Sequence, residues 1–173
     1  MKKRLLLVSG VCLLLCLFFC CSCTAGGEDF GLAPQRTEDG TLRFLFGDEV
    51  LATIDLNAIK ALPAKNKNMT VQTTSQGTLK EEFTGAQLSD VIKLFDPEAL
   101  TKYTTLTAYG ADGYFSRLKM SEVLEYSNVY IVYLNHGEPL ERLDGEDGSL
   151  KIVVTADTYG QRFTNYLVDI VFE

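Results

Sequence analysis

The amino-acid sequence predicts an α+β domain that is rich in strands and has a few short helices. Runs of β-branched and aromatic residues, separated by turn residues, recur from Leu42 to the end of the chain. Thr84–Phe95 differs, because its four large apolar residues fall at helical spacing. Val129–Leu134 is apolar on both faces, which is typical of a central strand buried within a sheet. Together these patterns indicate one mixed domain.

Capping and turn residues set the boundaries of the predicted elements. A helix begins where a side-chain oxygen can accept from the first free backbone N–H groups, and it ends before a proline. Asp55 and Thr84 are candidates for such caps, and Pro63 and Pro97 are expected to end the helices. The predicted helices are 55–62, Thr84–Phe95 and Ser121–Leu124. The predicted strands are Leu42–Phe46, Val50–Ile54, Met69–Thr74, Thr78–Phe83, Thr104–Tyr109, Tyr114–Leu118, Val129–Leu134, Leu150–Thr155 and Gln161–Phe172. In the last strand, residues 166, 168, 170 and 172 alternate on one apolar face.

The first residues have the pattern of an export signal. Three positive residues precede an uncharged run from Leu5 to Cys21, which is on the short side for a helix that crosses a bilayer. Ser22-Cys23 then resembles the processing site of bacterial lipoproteins, where a small residue precedes an acylated cysteine. Cys20 stands where that family usually has leucine.

We therefore expect residues 1–22 to be a lipoprotein signal peptide. Cys23 is expected to carry the lipid, with palmitate among its acyl chains. Residues 23–41 are predicted to be a flexible tether, because they have glycine, proline and charge without an apolar period. Residues 42–173 would then form a single exported domain held at the membrane surface, outside the cytoplasm. The alternatives are an uncleaved anchor helix and secretion after cleavage near Ala25.

Charge and cysteine content exclude several classes of function. The first 23 residues hold three of the 16 basic residues and none of the 23 acidic ones, so the remainder has a formal charge of −10. An acidic domain is a poor partner for nucleic acid or for anionic lipid. All five cysteines lie within the first 23 residues. The remainder therefore has no disulfide, no zinc thiolate site and no cysteine nucleophile.

Four short motifs occur in a fixed order within residues 50–173. They are Phe83-Thr84-Gly85-Ala86-Gln87-Leu88-Ser89-Asp90-Val91, Ala111-Asp112-Gly113-Tyr114, Gly137-Glu138-Pro139-Leu140 and Tyr159-Gly160-Gln161-Arg162. Their order resembles the molybdopterin-binding domain of the sulfite oxidase family. The resemblance implies a mixed, strand-rich fold with a pocket built by loops at the ends of several strands.

One departure from the family pattern bears on function. In the family's enzymes a cysteine thiolate binds molybdenum, whereas the matching stretch here is Thr73-Thr74-Ser75-Gln76-Gly77. Hydroxyl groups are hard ligands of high pKa and replace a soft thiolate poorly. We therefore predict no catalytic residue, no metal and no cofactor, although the resemblance implies molybdopterin as the cofactor if one is bound. Fold alone does not carry function.

The predicted function is a non-catalytic, membrane-tethered domain that binds a small ligand or a partner protein of the envelope. The alternatives are an oxidoreductase subunit that holds a molybdopterin-type cofactor without the cysteine, and a structural envelope lipoprotein. Arg162 is the expected charged anchor for a ligand, and its alternative role is to pair with Asp157 or another surface acid. The candidate ligand-binding residues are Thr74, Ser75, Gln76, Tyr109, Asp112, Tyr114, His136, Tyr159 and Arg162.

Overall fold

The computed structural model describes residues 36–73 and 77–173, which belong to one compact unit. The predicted signal peptide, Cys23, most of the predicted tether and Thr74-Ser75-Gln76 lie outside the described residues. The described part is an α+β domain of two sheets, which confirms the predicted fold class. No helix within 36–73 or 77–173 has the length and apolar character needed to cross a membrane.

The first sheet holds the two ends of the domain. Its strands are β1 (Thr41–Phe46), β2 (Glu49–Asp55), β5 (Thr105–Gly110), β6 (Phe115–Lys119) and β10 (Leu167–Phe172). The order across the sheet is β2-β1-β10-β5-β6. The pair β1 and β10 is parallel, and the other pairs are antiparallel. The first and last strands of the described domain are therefore direct neighbours.

The second sheet is built around one buried strand. Its strands are β3 (Lys65–Thr73), β4 (Gly77–Gln87), β7 (Val129–Asn135), β8 (Glu138–Pro139) and β9 (Lys151–Val154). The order is β3-β4-β7-β8, and β9 also pairs with β7. The first five residues of β7 are buried, as the sequence predicted for a central strand.

Short helices connect the strands. They are α1 (Leu56–Lys60), α2 (Leu88–Lys93), α3 (Ala99–Lys102), α4 (Met120–Leu124) and a 3₁₀ helix at Gly160–Arg162. The predicted cap is confirmed at α1, where the Asp55 carboxylate accepts from the backbone N–H of Ala58 at 2.9 Å. The helix α3 follows Pro97 and was not predicted.

The predicted helix start at Thr84 is wrong. Residues 84–87 continue β4, and α2 begins only at Leu88. The cause is pairing with β7, in which Thr84 lies opposite Leu134 and Gly85 opposite Val132. Gly85 permits a very close approach, because a Cβ there would lie 2.1 Å from the carbonyl oxygen of Ile131. Residues 84–87, which the local pattern assigned to a helix, are therefore part of the sheet.

The predicted last strand is also too long. Residues 160–162 form the 3₁₀ helix, and β10 begins at Leu167. Tyr166, expected on the apolar face of this strand, precedes it with a φ of +51°. Val168, Ile170 and Phe172 are buried, as predicted for the apolar face of this strand, and Leu167 and Asp169 are buried as well.

One hydrophobic core joins residues of both sheets. Its aromatic part centres on Phe172, whose ring centroid lies 5.9 Å from that of Phe44, 6.3 Å from that of Phe95 and 4.8 Å from that of Tyr103.

The last residues of the predicted tether already contact this domain, because the Nε of Arg36 donates to the buried carboxylate of Asp169 at 2.7 Å.

Candidate functional site

The end of β3 meets the segment around the 3₁₀ helix. The backbone N–H of Gln72 donates to the carbonyl of Thr158 at 3.3 Å, and Gln72 pairs with Tyr159 in a parallel bridge. A cavity of about 260 Å³ lies at this junction. It is lined by Gln72, Thr73, Tyr159, Gly160 and Gln161. We refer to these five residues as the β3-end pocket.

Two residues shape this junction, Gly160 through its small size and Tyr114 through its hydroxyl group. A Cβ at Gly160 would lie 3.3 Å from both Val71 and the ring of Phe163, so glycine lets the turn pack closely on β3. The Tyr114 hydroxyl donates to the carbonyl of Gln161. The turn that precedes β6 is thereby joined to the wall of the pocket.

Arg162 lies beside the pocket but is held by two carboxylates. Its Nε and Nη2 donate to Asp157 at 2.8 and 2.5 Å, and its Nη1 donates to Glu122 at 2.7 Å. The hydrogen bonds to Asp157 raise the pKa of Arg162. Burial alone would raise the pKa of Glu122, but hydrogen bonds from the Lys119 backbone and from Arg162 bring it below its ordinary value. The predicted alternative, pairing with Asp157, is therefore present, with Glu122 as a second partner.

The other candidate residues are divided between separate places. The Cζ of Arg36 lies 4.0 Å from the centroid of the Tyr109 ring, so the guanidinium packs over that ring. Asp112 accepts from the backbone N–H of Tyr114 at 3.0 Å and so shapes the turn. His136 contacts Glu81 at 3.2 Å and lines a different cavity, of about 270 Å³, over β3 and β4. Thr74, Ser75 and Gln76 lie outside the described residues.

Four lining residues and one carboxylate are absent from the candidates predicted from sequence, namely Gln72, Thr73, Gly160, Gln161 and Glu122. Gln161 sits inside the predicted Tyr-Gly-x-Arg motif, so the motif was a usable signal for it. Gln72 and Glu122 gave no such signal, because their places depend on contacts with Thr158 and Arg162 that are distant in sequence.

The five described residues that line the β3-end pocket carry no formal charge, and the guanidinium of the neighbouring Arg162 is paired with two carboxylates. Amide, hydroxyl and ring groups can donate, accept and stack, but they do not supply a nucleophile with a base. Within residues 36–73 and 77–173, no three His, Cys, Asp or Glu side chains form a group that could hold a metal ion. Chemically, the pocket is suited to binding a ligand.

Comparison with known proteins agrees with this fold. The sulfane dehydrogenase SoxCD from Paracoccus pantotrophus is similar in structure, with a TM-score of 0.61 and 16% identity. The match covers 78% of this chain but only 38% of that one. The search of curated proteins found no match. The family described as oxidoreductase molybdopterin binding domain matches residues 50–173, well over half of the sequence. The chain therefore belongs to this family of sulfite oxidase-type molybdopterin-binding domains.

Proposed function

We propose that this protein is a membrane-tethered, extracytoplasmic domain that binds a small polar ligand in the β3-end pocket and has lost the family's redox chemistry. The observation that carries the proposal is the pairing of Arg162 with two carboxylates. Its charge is offset by Asp157 and Glu122, beside a pocket whose lining is uncharged. Such a site disfavours an anion and suits a ligand recognised by hydrogen bonds and ring contact.

The residues present do not fit a molybdopterin-type cofactor. Residues 24–173 contain no cysteine, so no thiolate is available to a soft metal. The pocket lining offers amides, a hydroxyl and a phenol ring. Binding of a phosphate group requires a cation whose N–H groups are available. All three guanidinium nitrogens of Arg162 already donate to carboxylates. No catalytic step is therefore assigned to this domain.

Attachment to the membrane rests on the sequence alone. Ser22-Cys23 follows an uncharged run, which supports acylation of Cys23 and export of the domain. Mass spectrometry of the native protein tests this, since an unmodified Cys23 would contradict the lipid anchor.

Purified protein is expected to contain far less than one molybdenum atom per chain, even from a host that makes the cofactor. The reason is the missing thiolate and the paired Arg162. The soluble part, residues 24–173, is purified by gel filtration and its metal content is measured by mass spectrometry. A molybdenum enzyme of the same family, prepared in the same host, shows that cofactor was available. Stoichiometric molybdenum in this protein would overturn the proposal and favour the oxidoreductase alternative.

Substitution in the pocket is expected to abolish ligand binding without unfolding the domain. Tyr159 is 51% exposed, so Tyr159→Ala removes a ring from the pocket at little cost in stability. The measurement is a thermal-shift screen of uncharged sugars, nucleosides and amides against the wild type and this variant. We expect at least one compound to raise the melting temperature of the wild type only.

The matched control is Tyr126→Ala, because Tyr126 is 83% exposed and is not part of the pocket lining. This variant should respond as the wild type does. Equal responses from all three proteins would place binding elsewhere, and a screen in which only anions bind would contradict the uncharged pocket.

A further inference from the structure

Lys151 lies where β9 meets two aromatic rings. It opens β9 and pairs with Val132 of the central strand β7. Its Nζ lies 4.9 Å from the ring centroid of Phe83 and 5.5 Å from that of Phe163. The amine therefore lies beside both apolar rings, which form an edge-on pair, in a position that withdraws it from water.

This amine has no acid bound to it within residues 36–73 and 77–173. The salt bridges of that part of the chain involve other cations, and no hydrogen bond from Lys151 Nζ is present there. Lys151 also lines a cavity of about 210 Å³ that is separate from the β3-end pocket. The cavity is lined by Leu140, Glu141, Ser149, Leu150, Lys151, Asn165 and Tyr166. A small molecule in this cavity would border Lys151.

Several titratable groups surround this amine. From β4, the charge of Glu81 acts on Lys151, although Glu81 also contacts His136 and Asn135. Glu141 and Tyr166 share the cavity. Burial lowers the pKa of Lys151 below its ordinary value, while the charge of Glu81 acts in the opposite direction. The neutral amine is therefore more populated near neutral pH than at an exposed lysine.

We propose that Lys151 is a covalent binding site for small aldehydes and ketones, which it holds as a Schiff base in the cavity beside β9. The lone pair of the neutral amine attacks the carbonyl carbon and forms a carbinolamine. Loss of water, made from the carbonyl oxygen and the two amine hydrogens, leaves the C=N bond. No oxidant or reductant is needed, and hydrolysis by water reverses the reaction. A desolvated lysine in an apolar setting is suited to this chemistry.

Reductive trapping tests the site. The folded protein is incubated with acetaldehyde and sodium cyanoborohydride, which reduces the C=N bond to a stable secondary amine. Peptide mass spectrometry then gives a rate of modification for each lysine. Near neutral pH, Lys151 is expected to react several-fold faster than the exposed Lys65 and Lys119. At about pH 10, close to the ordinary lysine pKa, this advantage should disappear.

Unfolded protein is the internal control, because in concentrated urea Lys151 loses its surroundings and should react at the rate of the other lysines. The measurement uses the wild type, so no variant needs to fold. A rate at Lys151 equal to or below that of Lys65 and Lys119 in the folded protein would overturn the proposal. It would leave Lys151 as an ammonium whose only role is to pack on Phe83 and Phe163.

Discussion

Replacing Asp169 by alanine is expected to lower the free energy of unfolding by about 3 kcal/mol. The carboxylate, whose side chain is 4% exposed, accepts from Arg36 at 2.7 Å and from Arg43 at 2.7 and 2.9 Å. Alanine would leave Arg36, whose side chain is only 15% exposed, without a counter-charge. Arg43 is 43% exposed and can turn to water, which keeps the loss near the lower end for a buried pair. Urea denaturation monitored by circular dichroism measures the change.

Asp90→Ala is the matched control. Asp90 pairs with Lys93 at 2.9 Å, but both side chains are well exposed. Its removal should change the free energy of unfolding by less than about 1 kcal/mol. If the two variants lost the same stability, the buried cluster at Asp169 would contribute no more than a surface pair.

Gly85→Ala is expected to cost about 3 kcal/mol or more, the upper range for an overpacked interior. The added Cβ would lie 2.1 Å from the carbonyl oxygen of Ile131 and 2.7 Å from the Cα of Val132. Both atoms are backbone, so the clash cannot be relieved by a side-chain rotation and must separate β4 from β7. The melting temperature, followed by differential scanning calorimetry, should fall by several degrees.

Gly47→Asn serves as the comparison for this variant. Gly47 has a φ of +57° in the turn between β1 and β2, and a Cβ there would meet nothing within 4 Å. Asparagine tolerates this conformation, so the melting temperature should change little. A Gly85→Ala protein as stable as this control would mean that β4 and β7 do not approach as closely as described.

The strands of the first sheet were predictable because their signals are local. The turn at Gly47 and the cap at Asp55 each depend on a few neighbouring residues, and both are present in the structure. Thr84 shows where local signals fail. A threonine before a helical apolar pattern is consistent with a cap, but here it lies in a strand opposite Leu134. That choice is made by tertiary pairing, which no short window of sequence contains.

The candidate site was predictable to a similar extent. The Tyr-Gly-x-Arg motif pointed to Tyr159 and Arg162, and pairing of Arg162 with Asp157 was foreseeable from their closeness in sequence. The identity of the second partner, Glu122, was not foreseeable, because it lies 40 residues away in the sequence. The contact of Lys151 with two rings could not be predicted from sequence either, because Phe83 and Phe163 are distant from Lys151 or lie in other elements.

The parallel pairing of β1 with β10 has a mechanical consequence. A pull on the N-terminal side of the domain enters through Arg36 and β1, which lies between β2 and β10. When the C-terminal end of β10 is held, the load acts along these two parallel strands, so the hydrogen bonds between β1 and β10 must break together instead of one after another. Arg36 and Arg43 add a charged clamp between this entry point and Asp169 of β10. The parallel pair therefore resists a load applied between the two ends of the described domain.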